Sequence, residues 1–286
     1  MTKVEILIQA LSGKQPSRSI RDLCLSGEVR TLLPELAALA ADHDPVHRHK
    51  NLFEHSLAVL DNAVALESHS FLGEGAPEAM ATPDLTLRMA AVLHDVGKPA
   101  TRVVTHDRVT FHGHDVVGAR LVRQRLRLLG FDAPFATDVA TLVRAHMRLH
   151  GDPARVWSDA AVRRLDRQTG HLTPRLLRLA RADCTTRSPR RAAQLERRHE
   201  EICARLRAVR ALDAAALERP DLDGAHVMAT LGIGPGPQVG LALSHLLTLR
   251  RERGELTPAA ARAELRAWYA ARTRDACSAA GADTLP

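Results

Sequence analysis

Aromatic residues make up only 3% of this 286-residue chain, so it has no series of ring faces on which single-stranded bases could stack. Any nucleic acid would be held mainly by its backbone. Cysteine is scarce too: Cys24, Cys184, Cys203 and Cys277 lie far apart with no C-x-x-C pair, which argues against a zinc ribbon or a disulfide framework. No apolar run is long enough to cross a bilayer, and the amino terminus "MTKVEILIQALSGKQ" lacks a small-residue cleavage pattern. Neither a membrane span nor a secretory signal is expected, and a cytoplasmic address follows by default. Lysine is limited to Lys3, Lys14, Lys50 and Lys98, so arginine carries almost all of the positive charge behind the net value of +7. A basic surface of this kind favours phosphate-bearing partners.

What is present is helix. Hydrophobic residues form 45% of the chain, enough to bury a sizeable core. They recur at three- and four-residue intervals through Leu52–Leu66, Leu85–Leu93, Val116–Leu129, Val139–Leu149, Leu172–Ala182, Leu195–Leu212 and Leu241–Leu249. This pattern predicts an all-α helix bundle. The exception is Val103–Phe111, where short β-forming stretches flank a polar turn and predict a small hairpin or extended loop. Breaks fall near Gly73–Pro77, Gly151–Pro153, Ser188–Pro189 and Pro220–Gly224. The last of these marks a small C-terminal helical subdomain over residues 220–286.

Helical phase then singles out six polar residues. His55 shares a stripe with Leu52 and Val59, and His94 shares one with Leu87, Ala90 and Ala91, with Asp95 directly after it. His114 aligns with Gly118 and Leu121, His146 with Val139 and Leu142, and Asp183 with Leu176, Leu179 and Ala180. A single inward histidine is usually a core residue bonded to a carbonyl. Imidazoles and carboxylates converging from five helices are different, because buried carboxylates must neutralise or find a cation. Nitrogen and oxygen donors without thiolate suit iron(II), manganese or zinc better than a calcium-type cage. Two ions are possible, with Asp95 placed to bridge them.

These residues carry a resemblance. The succession His55, His94-Asp95, Asp183 is similar to the HD superfamily of metal-dependent phosphohydrolases. The stretches "DPVHRHKNLFEHSLAVLDNA", "LRMAAVLHDVGKPATR", "VTFHGHDVVGARL", "RADCTTR" and "DLDGAHVMATLGIGPGPQVGLAL" resemble the body and tail of bacterial tRNA nucleotidyltransferases, the CCA-adding enzymes. The likeness divides the chain into an N-terminal extension (1–19), an HD-type bundle (20–219) and a helical tail (220–286). Those polymerases begin with a nucleotidyltransferase head. About twenty residues ahead of the matching region are too few to fold one, so CCA addition is not expected from this chain.

The resemblance implies one or two divalent ions (iron, manganese, zinc, cobalt, nickel or magnesium) with His55, His94, Asp95 and Asp183 as core ligands and His114 and His146 as additional ones. His112 could coordinate instead, or meet the substrate phosphate. Lys98 matches the superfamily lysine that neutralises phosphate, and Arg102 could assist it. The histidine- and arginine-rich "VHRHK", His47 to Lys50, is either a phosphate-facing rim or a solvated helix start. The expected activity is phosphate release from a nucleoside monophosphate, a 2′,3′-cyclic phosphate or an RNA 3′ end. Two alternatives stay open: an HD-type diiron oxygenase, and a non-catalytic tRNA-binding module. The expected partners are a phosphorylated small molecule and weakly bound tRNA.

Overall fold

Short polar caps punctuate the apolar stripes, and the chain folds as a succession of helices. They are α1 (Lys3–Ser12), α2 (Pro16–Leu25), α3 (Val29–Leu32), α4 (Pro34–Ala41), α5 (Leu52–Leu66), α6 (Leu85–Leu93), α7 (Lys98–Thr101), α8 (His114–Leu129), α9 (Ala133–Ala145), α10 (Asp159–Thr169), α11 (Thr173–Ala182), α12 (Pro189–Leu217), α13 (Gly224–Leu231), α14 (Pro237–Arg253) and α15 (Pro258–Gly281). The computed structural model describes residues 1–41, 51–73, 82–105, 109–149, 157–186, 188–217 and 219–281, without the side chains of 216, 217 and 275–281. Between α7 and α8 a two-stranded antiparallel ribbon pairs β1 (Val103–Val104) with β2 (Val109–Thr110), in register Val103 to Thr110 and Val104 to Val109. The all-α expectation and its one hairpin are both met.

Two units separate, Met1–Arg210 and Ala211–Pro286. The first is built around α6. Leu87, Met89, Ala90, Ala91, Val92 and Leu93 are each no more than 1% exposed, so this helix is covered on all sides. Burying each of its larger side chains contributes about 2 kcal/mol. Asp84 starts α6 by accepting from the Leu87 amide at 3.1 Å, and it also accepts from Arg175 of α11 at 2.9 Å. The 4%-exposed Arg88 is satisfied by Glu67 and by the Leu11 and Gly13 carbonyls. An arginine in a core helix is tolerable because each face of its guanidinium finds an acceptor. Through it α1 is tied to α6. Residues 1–19, set apart in the sequence reading, form α1 and the start of α2, and Leu7 and Leu11 are fully buried in the common core.

Asn51 begins α5, accepting from the Phe53 and Glu54 amides at 2.9 and 3.2 Å. Gly113, at φ 76°, turns the chain into α8, a conformation that disfavours any residue with a Cβ. In the second unit Leu222, Val227, Ala242, Leu246, Ala261 and Leu265 form a separate small core. No helix among the described residues is long and apolar enough to cross a membrane.

Candidate metal centre

Four of the six expected ligands sit at helix ends, where the chain can turn side chains into a shared space. His94 caps α6 and Asp95 follows it; His114 is the first residue of α8; His146 caps α9; Asp183 caps α11. His55 lies in the first turn of α5. His94, Asp95 and His146 are at most 1% exposed and His114 is 7% exposed.

The ligand atoms fall into two groups that share one carboxylate. His55, His94 and Asp95 form the first; Asp95, His114 and His146 form the second. Asp95 Oδ2 lies 3.2 Å from His94 Nε2 and 3.6 Å from His55 Nε2. Its other oxygen, Oδ1, lies 3.5 Å from His114 Nε2 and 3.9 Å from His146 Nε2. Asp183 Oδ1 joins the first group, 2.9 Å from His55 Nε2 and 3.7 Å from His94 Nε2.

Backbone contacts orient three of the rings. Nδ1 of His94, His114 and His146 stands 2.8, 2.8 and 2.6 Å from the carbonyls of Ala91, Phe111 and Val143. A carbonyl only accepts, so each Nδ1 carries a proton and Nε2 is the nitrogen turned to the shared space, its lone pair open to a cation once that nitrogen is unprotonated. That is the ligand form of imidazole. The Nε2 atoms of His114 and His146 then face each other at 3.3 Å, an arrangement favoured by a positive charge between or beside them. His94 Nε2 is sealed from solvent and makes no directional hydrogen bond. A buried donor set of this chemistry fits a divalent cation.

The electrostatics agree. Burial alone would lower the pKa of His94, but the Asp95 and Asp183 carboxylates outweigh it and push the value up to about 9. Burial opposes the Asp95 charge as well, yet His94 and Lys98 hold this carboxyl well below its usual range. Burial and the neighbouring His94 push His146 down to about 3. The field of two carboxylates thus calls for positive charge in the first group and leaves His146 neutral.

The cluster opens into a pocket of about 790 Å³ whose wall includes Lys98, Met147, Thr185, Thr186, Arg191 and Leu195. Lys98 Nζ lies 2.5 Å from Asp95 Oδ2. His112 stands exposed in the turn before α8, and Arg102 is half-buried at the end of α7. Neither belongs to the pocket wall or to the two ligand groups among the described residues, so this placement lends no support to a catalytic role for either. His47, Arg48, His49 and Lys50 lie outside the described residues.

The HD domain family pattern matches residues 52–216, the span that carries all six clustered side chains. The chain belongs to the HD domain family. HD domains bind divalent metals and mark a superfamily of metal-dependent phosphohydrolases, and this centre supports an enzyme of hydrolase type. The A-adding tRNA nucleotidyltransferase of Deinococcus radiodurans is 37% identical over 266 residues, covering 90% of this chain and 56% of its own length. The CC-adding tRNA nucleotidyltransferase of Thermus thermophilus is 34% identical over 276 residues, 95% of this chain and 57% of its own. A multifunctional CCA protein of Azoarcus sp. is 30% identical over 234 residues, 77% of this chain and 50% of its own. The chain therefore spans about half the length of these curated relatives.

Sequence reasoning did not single out several residues of the pocket wall. Thr185 and Thr186 follow Asp183 directly, yet two threonines after a helix carry no periodic signal. Met147 and Leu195 read as ordinary apolar residues, and only the pocket shows what they face.

Proposed function

We propose that this chain is a metal-dependent phosphohydrolase that releases phosphate from a nucleoside monophosphate or opens a 2′,3′-cyclic phosphate. An RNA 3′ end that bears a terminal phosphate or 2′,3′-cyclic phosphate is the polymeric form of the same substrate. The observation that carries the reading is Asp95. It offers one oxygen to each ligand group, and Lys98 stands beside it on the pocket wall. Up to two divalent ions are assigned: one to His55, His94, Asp95 and Asp183, the other to Asp95, His114 and His146.

Divalent cations held there supply Lewis acidity toward a phosphoryl oxygen and a nucleophilic water near neutral pH. The protein does the rest. Asp95, held ionised by its neighbours, fixes negative charge at the centre and orients the groups around it. Lys98 places an ammonium where phosphoryl oxygens enter, offsetting charge that grows as the ester bond breaks. Ala58, Met147 and Leu195 give the leaving group an apolar wall, and Thr186 and Arg191 give it polar contacts. An exposed phosphomonoester or strained cyclic phosphate reaches this wall and the centre together more readily than an internal diester.

The oxygenase alternative would use the same six ligands, and Lys98 favours the hydrolase because an ammonium here complements an anionic substrate. RNA contact is favoured by the tRNA-acting names of the relatives and by the net charge of +7. The test is turnover by metal-reconstituted protein, read as inorganic phosphate released from nucleoside monophosphates and as nucleoside 2′- or 3′-monophosphate formed from 2′,3′-cyclic phosphates. Metal-dependent formation of either product supports the assignment. Iron-dependent oxygen uptake with neither product across the panel would transfer it to the oxygenase.

A further inference from the structure

His55 is held differently from the other three histidines of the centre. The rings of His94, His114 and His146 each lean on a carbonyl three residues earlier in the chain. Their orientation is therefore built into their own helices. His55 Nδ1 instead meets a side chain 130 positions away, the Thr185 hydroxyl, at 3.0 Å. The loop after α11 thus grips His55 at both nitrogens, with Asp183 Oδ1 at 2.9 Å from Nε2 and Thr185 Oγ1 on Nδ1. The Thr185 amide donates back to the Asp183 carbonyl at 2.8 Å, which braces the two residues against each other.

A hydroxyl differs from a carbonyl in being both donor and acceptor. Accepting from Nδ1–H, Thr185 leaves the Nε2 lone pair of His55 free for a cation. Donating to Nδ1, it lets Nε2–H bond to Asp183 and close that side of the site on itself. His94, His114 and His146 have no such second arrangement, because a carbonyl cannot donate.

Resting on the metal centre assigned above, we propose that Thr185 is a positioning residue that sets the His55 ring as a ligand through Nε2. It governs the affinity of the His55, His94, Asp95 and Asp183 group for its ion, and leaves the Asp95, His114 and His146 group to its backbone anchors. Hydroxyls and carboxylates that orient metal-binding histidines typically change metal affinity by about 10- to 100-fold when removed.

The test is binding of Mn²⁺ and Zn²⁺ to the full chain by competition with a chromophoric chelator, with wild type, Thr185→Val and Thr185→Ser compared. Val keeps the shape of Thr and loses the hydroxyl; Ser keeps the hydroxyl. The expected result is an ion that binds Thr185→Val about 10-fold or more weakly, with Ser restoring wild-type affinity and helical circular dichroism alike in all three. Equal affinity in wild type and Thr185→Val overturns the proposal, as does a Ser variant as weak as Val. A wild type that binds neither ion overturns the metal centre itself. A Val defect in binding alongside a wild type without phosphatase turnover upholds Thr185 and counts against the hydrolase.

Discussion

Asp95 is the residue on which both ligand groups depend, and its removal separates chemistry from folding. Asp95→Ala should leave turnover at background while far-ultraviolet circular dichroism stays wild-type, because the helical core of a chain this long does not rest on one site carboxylate. Lys98→Ala should lower kcat/KM by roughly 10²-fold, the scale for losing one group aimed at developing charge. Steady-state kinetics checks both, and wild-type turnover by the Asp95 variant would refute the mechanism. Outside the site, His199 is buried, contacts the Leu177 carbonyl at 2.9 Å and packs its ring against Phe71. Burial lowers its pKa, the larger effect, and the Leu177 carbonyl opposes that shift. Its folded pKa lies below its unfolded one, so it favours the unfolded chain once pH falls below about 6.5, the ordinary histidine value. Thermal melts at pH 5 and pH 7.5 should show a smaller acid loss for His199→Gln than for wild type.

At the scale of elements, the approach of α7 to α8 decides where His114 stands. A Cβ on Gly97 would lie 2.1 Å from the His114 carbonyl oxygen and 2.6 Å from the Gly118 nitrogen, both backbone atoms that cannot swing aside. Gly97→Ala should therefore cost about 1–3 kcal/mol of stability, the usual penalty for overpacking, and should displace His114. Denaturant melts and metal titration together check this. Loss of stability with unchanged metal binding would show that His114 does not depend on that contact. The long α12 is rich in arginine and glutamate. Its partners prove to be on other elements: Arg205 pairs with Asp159 and Arg210 with Asp166 of α10. Such exposed and half-exposed pairs fix register more than they add stability.

For the whole molecule, a site that binds ions only when folded must raise stability by mass action. Free divalent metal at one hundred times its Kd should add about 2.7 kcal/mol, visible as a higher Tm that a chelator reverses. A Tm indifferent to both metal and chelator would contradict the metal centre. RNA contact, if made through phosphates, releases counterions, so binding of a tRNA should weaken steeply between low and physiological salt. Filter binding or fluorescence anisotropy across that range measures the slope. An affinity unchanged by salt would rule out a mainly backbone contact.

The sequence by itself determined the helical class and singled out the six side chains that the fold brings together. Apolar spacing set which faces of α5, α6, α9 and α11 turn inward, and inward phase is a local property of 3.6-residue geometry. The same reasoning passed over α1 to α4, α10, α13 and α15, which are short, lie near chain breaks or carry mixed stripes, and so depend on what packs against them. It also left His112 and His114 as rivals, because two residues apart on a turn their directions follow from the φ of Gly113 between them. Only the tertiary structure placed His114 beside His146, gave each oxygen of Asp95 to a separate group, and set Thr185 against His55. Those contacts join residues 32 and 130 positions apart. No helical or strand periodicity reaches that far, so they are decided by how the helices pack around α6.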